Sequence, residues 1–325
     1  MVLGLLIGSF LNVVIYRLPI MMEREYKRDF YSYFDTKPDP AEQKELDETF
    51  NLVLPHSHCP NCDAEVKPRH NVPLLSYLLL GGKCGYCGTT ISKRYPLVEL
   101  VTGLLTAIVV WQLGFTWQAL AGCVFTWALV ALTGIDFDKQ LLPDNITLPL
   151  LWGGLFINLW GVFVPVQDAV IGAIAGYLAL WSVFHIFRLV TGKEGMGAGD
   201  FKILAAIGAW FGWQMLPLVI LLSAAVGAVA GLSWSVIAGR DRNLPIAFGP
   251  YLAGAGWIAM LWGIGLWGGI LTILVWGPRR LFNGNHCGPD SGSGSSPARA
   301  LRRNDERYIG GRTLVPPFSF LARPD

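Results

Sequence analysis

Gly195-Met196-Gly197-Ala198-Gly199-Asp200-Phe201-Lys202 is the stretch from which the rest of the chain is read. Three alternating glycines deliver one carboxylate at the point where one apolar run stops and another starts. Glycine permits positive φ and close backbone approach, so the spacing predicts a bare, sharp turn rather than a helix interior. Asp200 then opens a mostly apolar segment from Phe201 to Trp213. A carboxylate at the mouth of a membrane segment is costly unless paired or hydrated, which makes it a functional candidate. The same residue type at a helix start also serves simply as an N-cap. These eight residues leave both readings open.

Composition places them in a membrane. The 325 residues are 53% hydrophobic and only 15% charged, whereas a soluble domain carries about a quarter charged residues. The balance predicts an all-α polytopic membrane protein, and the net charge of +2 gives no basis for a nucleic-acid partner. Of the 25 Lys and Arg, ten fall in residues 20–94 and eight in 279–325, leaving six for 95–278 and Arg17 alone before the insert. Membrane and polar parts are therefore separable by inspection.

In chain order, residues 1–19 read as a first membrane helix: Met1 to Tyr16 is apolar, without the basic start or small-residue cleavage site of a signal peptide. Residues 20–94 form a polar insert whose 23–51 portion is charge-rich and helical in part, and whose 55–94 portion holds four cysteines. Residues 95–277 form the membrane core, with spans over 96–114, 117–135, 146–165, 168–190, 201–213, 216–238 and 249–276. The 201–213 piece is too short to cross unaided. With the first anchor this gives about eight membrane helices. Residues 278–325 are a flexible, Arg-rich tail opening on a Gly/Ser linker at 284–298.

Lys and Arg placement orients these spans. The insert, Lys139, Arg188, Lys193, Lys202, Arg240 and Arg242 fall on one side if the spans alternate, and the opposite connections near 115, 166 and 214 carry no Lys or Arg. The insert is thus expected in the cytoplasm. The tail disagrees, because eight crossings place its Arg residues outside.

A second carboxylate cluster, Gly134-Ile135-Asp136-Phe137-Asp138-Lys139-Gln140-Leu141-Leu142-Pro143-Asp144-Asn145, leaves the third span on the cytoplasmic side. Two further spans return the chain to that face at Gly195, so Asp136 and Asp200 share one membrane face. Two carboxylates that can meet there suggest aspartyl chemistry, one acting as base on a water and the other as proton donor. Asp144 follows Pro143 and precedes an apolar run, which favours N-capping, and Asp138 sits beside Lys139. Asp136 lies closest to the apolar helix end, where desolvation acts most strongly. The alternative is three loop acids without chemistry.

Cys59-Pro-Asn-Cys62 and Cys84-Gly-Tyr-Cys87 are two CxxC knuckles, a tetrathiolate zinc pattern. A reducing cytoplasm disfavours disulfides, and four thiolates leave no open coordination position, so the zinc would fold a small ribbon-like insert rather than catalyse. His56, His58 and His70 read as surface residues, Cys123 as span packing, and Cys287 as a lone tail thiol.

The combination D-x-x-x-x-x-x-P-D at 136–144 with G-x-G-D at 197–200 resembles the type IV prepilin peptidases, the bifunctional leader peptidase/N-methyltransferases of the GxGD aspartyl protease class. GSFLNVVIYRLP at 8–19, the four-cysteine insert, KRYPLVELVTG at 93–103 and GMGAGDFKILAAIGAW at 195–210 extend the likeness in order, from about residue 2 to about 264. The resemblance implies a catalytic pair at Asp136 and Asp200, eight membrane helices in the bacterial inner membrane, and an active site near the cytoplasmic face. It further implies prepilin and pseudopilin substrates of type IV pilus or type II secretion systems, and methylation of the new N-terminus by S-adenosylmethionine. No glycine-rich strand–helix turn of a soluble donor-binding fold is present. The expected donor seat is where the insert rejoins the membrane at 71–99, with Lys93, Arg94 and Glu99 as candidate cofactor-binding residues that serve equally as helix-end anchors.

A second class of function is a polytopic transporter using the two Asp as proton or cation sites. Transport favours acids at several membrane depths, and the spans of 96–276 hold none well inside an apolar run apart from Glu99 near an end. The pattern favours the peptidase.

Overall fold

The computed structural model describes residues 1–66, 72–193, 196–238 and 247–276, with side chains described up to 233 and again over 247–263. His70, Gly195, Arg240, Arg242, Cys287 and the whole 278–325 tail lie outside those residues. Met1 to Gly277 forms one compact unit. Its helices are α1 Val2–Tyr33, α2 Pro40–Asp47, α3 Leu75–Leu79, α4 Arg94–Leu113, α5 Trp117–Lys139, α6 Asp144–Ile157, α7 Val166–Thr191, α8 Ala198–Phe211, α9 Leu216–Ala238 and α10 Gly249–Trp276. Among the described residues there is no strand, only two isolated antiparallel bridges in the insert.

The protein is an all-α membrane protein. Among the described residues five stretches are long and apolar enough to cross a bilayer: α1, α4, α5, α7 and Trp213–Ser233, which covers most of α9. Each remaining apolar segment read from sequence is also helical. Both α6 and α8 have only 14 residues, a rise of about 21 Å against a hydrocarbon core of about 30 Å.

The first helix departs from expectation. It runs unbroken through Pro19 to Tyr33, so the anchor and the start of the polar insert are one rod. Its membrane half packs on α4 through small residues: a Cβ at Gly4 would fall 2.6 Å from Thr106 Oγ1, and one at Gly8 would fall 2.7 Å from Glu99 Cα. Glycines four apart on one helix let two backbones approach in this way. Beyond the membrane half, Arg17 is 7% exposed. Its guanidinium donates to the carbonyls of Asn51 and Pro55 and faces the Phe50 ring at 5.5 Å. The helix α2 lies back on the same rod, with Tyr31 Oη donating to Glu42 at 2.6 Å and Lys27 Nζ 3.1 Å from that carboxylate.

At the centre sits α8, where Phe201 and every residue from Ile203 to Phe211 are buried. Its crossing with α7 is backbone against backbone. A Cβ at Gly208 would lie 2.1 Å from the Gly172 carbonyl oxygen, and one at Gly176 would lie 2.6 Å from that of Leu204. The far end of α8 presents carbonyls with no intrahelical partner, as any helix end does. Asn158, only 1% exposed, supplies donors to Ala209 O at 2.9 Å and Trp210 O at 3.0 Å. Its own side-chain oxygen accepts from the amides of Phe163 at 3.0 Å and Val164 at 3.2 Å. One side chain thus ties the end of α6, the approach to α7 and the end of α8.

Asn158→Leu strands two buried carbonyls and two amides, each unsatisfied group costing about 1–3 kcal/mol. We expect a net loss of about 3 kcal/mol or more, read as a lowered thermal midpoint of the detergent-solubilised protein. An unchanged midpoint would show that the clasp contributes nothing.

Candidate active site

The first carboxylate lies one turn before the end of α5. Gln140 closes that helix in the left-handed conformation, φ 51° and ψ 40°, with its amide donating to the backbone carbonyl of Asp136 at 2.9 Å. Asp200 is the third residue of α8, entered from an extended Gly197 whose carbonyl accepts the Asp200 amide at 3.2 Å. Both side chains are 4% exposed, and Asp200 lies within electrostatic reach of Asp136.

Packing explains how the two loops meet. Leu142, in the connection from α5 to α6, would lie 2.6 Å from a Cβ at Gly199 and 3.2 Å from one at Gly249. The glycine before Asp200 is therefore bare because Leu142 needs its space. Gly249, first residue of α10, brings a third segment to the site, and a Cβ there would fall 2.6 Å from Asp136 Oδ2. The sequence reading did not single out Gly249. Its signal was present in the Gly249-Pro250 pair at the head of an apolar run.

The other acids of the first cluster are held elsewhere. Asp138 forms a two-pronged pair with Arg94 at 2.7 and 2.6 Å, and the same guanidinium reaches Gly134 O at 3.4 Å. Asp144 does not cap its helix as expected. It is the first residue of α6, makes no side-chain capping bond, and accepts from Lys202 Nζ at 2.6 and 2.8 Å. Capping lost because a cation two residues past Asp200 reaches it across the fold, a contact no local pattern encodes. Two acids are thus bound by cations on α4 and α8, and Asp136 is the one that acts electrostatically on Asp200. Beside it, a cleft of about 480 Å³ runs between α4, α5 and α10, lined by Val98, Val101, Phe137, Pro250 and Trp257 with the Arg94–Asp138 pair at one end.

The three donor-seat candidates occupy the start of α4. Lys93 precedes the helix and is exposed. Arg94 is paired with Asp138 as above. Glu99 is buried, and its Oε2 accepts the amide of Leu74 at 2.8 Å. That bond fastens the returning end of the insert to the membrane helix, at a residue whose φ is 58°.

In the insert the two knuckles repeat one geometry. Cys59 N donates to Ala64 O and Cys84 N to Thr89 O, at 3.0 and 2.8 Å. The residue after each CxxC, Asp63 or Gly88, has positive φ of 58° or 71°. The two turns bring the sulfurs of Cys59, Cys62, Cys84 and Cys87 within 4.8 Å of one another, and Cys59 Sγ to Cys87 Sγ is 3.8 Å. Thiolates at about 2.3 Å from a tetrahedral zinc stand about 3.8 Å apart, so the set could hold that ion. Hydrogen bonding with Thr89 pulls the Cys87 thiol down to about 6, while burial and the neighbouring sulfurs push Cys62 up to about 12, the split expected of thiols that share protons. His58 Nε2 stands 3.7 Å from Asp63, outside the sulfur set. Cys123 is buried in α5, and His185 stacks on Trp181 with ring centroids 4.2 Å apart.

Residues 2–113 match the bacterial peptidase A24 N-terminal domain, and residues 123–232 match the type IV leader peptidase family. The chain is similar to the prepilin leader peptidase/N-methyltransferase of Stutzerimonas stutzeri, 56% identical over 263 residues, covering 81% of this chain and 89% of that one. Its likeness to the protein of the same name from Pseudomonas aeruginosa is 57% over 261 residues, covering 80% and 88%. A third, from Neisseria gonorrhoeae, is 50% identical over 257 residues, covering 79% and 87%. No solved structure matches the chain.

Metal analysis of protein purified in reducing, chelator-free buffer should find a single zinc per chain. Cys59→Ser or Cys84→Ser should each lose it, since three thiolates hold the ion far less tightly than four. Zinc-free wild-type protein would show that the knuckles do not hold the ion.

Proposed function

The chain belongs to the type IV leader peptidase family, and on that footing we propose that Asp136 and Asp200 are the carboxylates that hydrolyse the leader peptide bond. The protein is a membrane protease and N-methyltransferase that removes the leader of prepilins and methylates the new N-terminus. The transporter reading is not favoured by these relatives. One observation carries the assignment of the pair. Of the acids in the first cluster, Asp138 and Asp144 are engaged by Arg94 and Lys202, while Asp136 and Asp200 are buried and converge.

In this reading one carboxylate takes a proton from a water whose oxygen attacks the peptide carbonyl, and the other gives a proton to the departing nitrogen. The C–N bond breaks, leaving a carboxyl on the leader and an amine on the pilin. S-adenosylmethionine, when bound, supplies an electrophilic methyl group for that amine. In this reading the donor sits within residues 71–99, where Lys93 offers an exposed cation, while Arg94 and Glu99 are held by the bonds they already make. The same chemistry extends to pseudopilins of secretion systems.

Zinc at Cys59, Cys62, Cys84 and Cys87 is structural, because four thiolates fill its shell. The working division is a first helix at 1–19, the cytoplasmic zinc insert at 20–94, the peptidase core at 95–277 and an atypical tail at 278–325. Cations cluster on the face that carries the dyad, which supports a bacterial inner-membrane location with the site near the cytoplasmic face.

Asp136→Asn and Asp200→Asn should each reduce cleavage of a prepilin, followed by mass analysis of the product, by about a thousandfold or more, with normal membrane insertion. Asp144→Asn breaks an exposed ion pair worth about 0–1 kcal/mol, so its rate should fall no more than about fivefold. Full activity in Asp200→Asn would sink the aspartyl mechanism.

The two activities should also separate. Given an already cleaved pilin and labelled donor, Asp200→Asn should still transfer methyl, whereas Cys84→Ser should cut without methylating. Loss of both activities in both variants would mean one shared site.

A further inference from the structure

We infer that Gly249 is a positioning residue for peptide hydrolysis: the bare first turn of α10 holds the Asp136 carboxyl in line with Asp200, and a side chain there would displace it. The inference rests on the reading of Asp136 and Asp200 as the hydrolytic pair.

The argument begins with the amides of α10. A helix start leaves four N–H groups without intrahelical partners, and each must find one or reach water. In α10 the accounts close. Tyr251 and Leu252 donate to Phe248 O at 3.1 and 3.2 Å, and Pro250 has no N–H. The remaining amide, Gly249, is the backbone donor that faces the Asp136 carboxyl. Asp136 thus stands against the start of a helix more than a hundred residues away in sequence. It does so from the end of α5, where its backbone carbonyl is already fixed by Gln140.

The steric side of the contact is equally specific. Among the described glycines, Gly249 is the one whose nearest neighbour, for an added Cβ, is a carboxylate oxygen: Asp136 Oδ2, at 2.6 Å. Contacts under 3.0 Å force something to move. The neighbour is the tip of a short side chain that is 4% exposed, and Oδ2 has no hydrogen-bond partner to hold it. On the other flank Leu142 Cδ2 would stand 3.2 Å away, itself pressed against Gly199 beside Asp200. Retreat of the α10 turn would pull it from Asp136 and loosen Leu142. The yielding element is therefore the carboxyl itself. Displacement of a reacting group by about 1 Å costs on the order of a hundredfold in rate.

The test is Gly249→Ala in the full-length protein, beside Gly254→Ala, where an added Cβ meets nothing within 4 Å on the same helix. Prepilin cleavage is followed as kcat and KM, methyl transfer to an already cleaved pilin as a separate rate, and folding by membrane yield and thermal midpoint. We expect Gly249→Ala to lower kcat on the order of a hundredfold, with KM, methyl transfer and midpoint near wild type. Gly254→Ala should keep all of them. A Gly249→Ala kcat within about threefold of wild type would overturn the inference. So would a loss that tracks the folded fraction, or a raised KM at unchanged kcat. Asp136→Asn separates the two levels: if that variant cleaves, the assignment of the pair fails, and if it is dead while Gly249→Ala is fully active, only the role of Gly249 fails.

Discussion

Backbone contact between α7 and α8 is the constraint on which the site depends. Gly172, Gly176 and Gly208 let the two backbones touch at that crossing, so α8 packs closely on α7 there. Because it is so enclosed, Phe201 and Ile203 to Phe211 all contribute to one core with Phe125, Leu132 and Leu252. Rigidity there sets Asp200. The helix is held at its far end by Asn158 and by Trp210 Nε1, which donates to Leu150 O at 2.7 Å. It can neither slide nor tilt without breaking buried bonds. A catalytic group needs that kind of support, since precise placement is most of what a hydrolytic carboxylate contributes.

The insert is tied to the same frame through α1 and α4. Arg17 draws the chain at Asn51 and Pro55 back to α1, and Glu99 draws Leu74 back to α4. The first cysteine knuckle lies between these two straps, and the second lies between Leu74 and Glu99. The helices that receive the straps, α1 and α4, pack on each other through Gly4, Gly8 and Gly103, and α1 packs on α5 where Gly134 makes room for Ile15. A continuous path of packed groups therefore joins the two straps to the helix that carries Asp136. The path is structural, and coupling along it is a question for measurement.

Much of this was legible in the sequence because the relevant signals are local. The helices follow their apolar runs, the two CxxC turns announce a tetrathiolate, and the alternation of glycines around Asp200 marks the entry to a helix, although that helix already begins at Ala198 and takes in Gly199 instead of leaving a turn up to Asp200. Charge placement put Asp136 and Asp200 at one face before any coordinates. What escaped was long-range. Asp144 has the residue type and position of an N-cap, and only the fold shows Lys202 arriving from α8. Arg17 reads as the charged end of an anchor, yet it is buried and holds the insert. Gly249 resembles any glycine at a helix start, since its meaning lies in a carboxylate that the sequence places far away. The first helix was cut short in the reading because its hydrophobicity ends near Tyr16, while helical geometry continues for four more turns along a charged face.

The length of α6 has a consequence for the lipid around it. At 14 residues it rises about 21 Å, and it turns Trp152 and Phe156 outward with 66% and 59% of their surface exposed. A bilayer about 30 Å thick in its hydrocarbon has to pinch by roughly 9 Å to meet that face, at fractions of a kcal/mol per ångström. Headgroups and water are drawn inward there, beside the helix that begins with the Asp144–Lys202 pair. Thinning of the membrane at that face would let a water-consuming reaction proceed below the plane of the lipid surface without an aqueous channel through the protein.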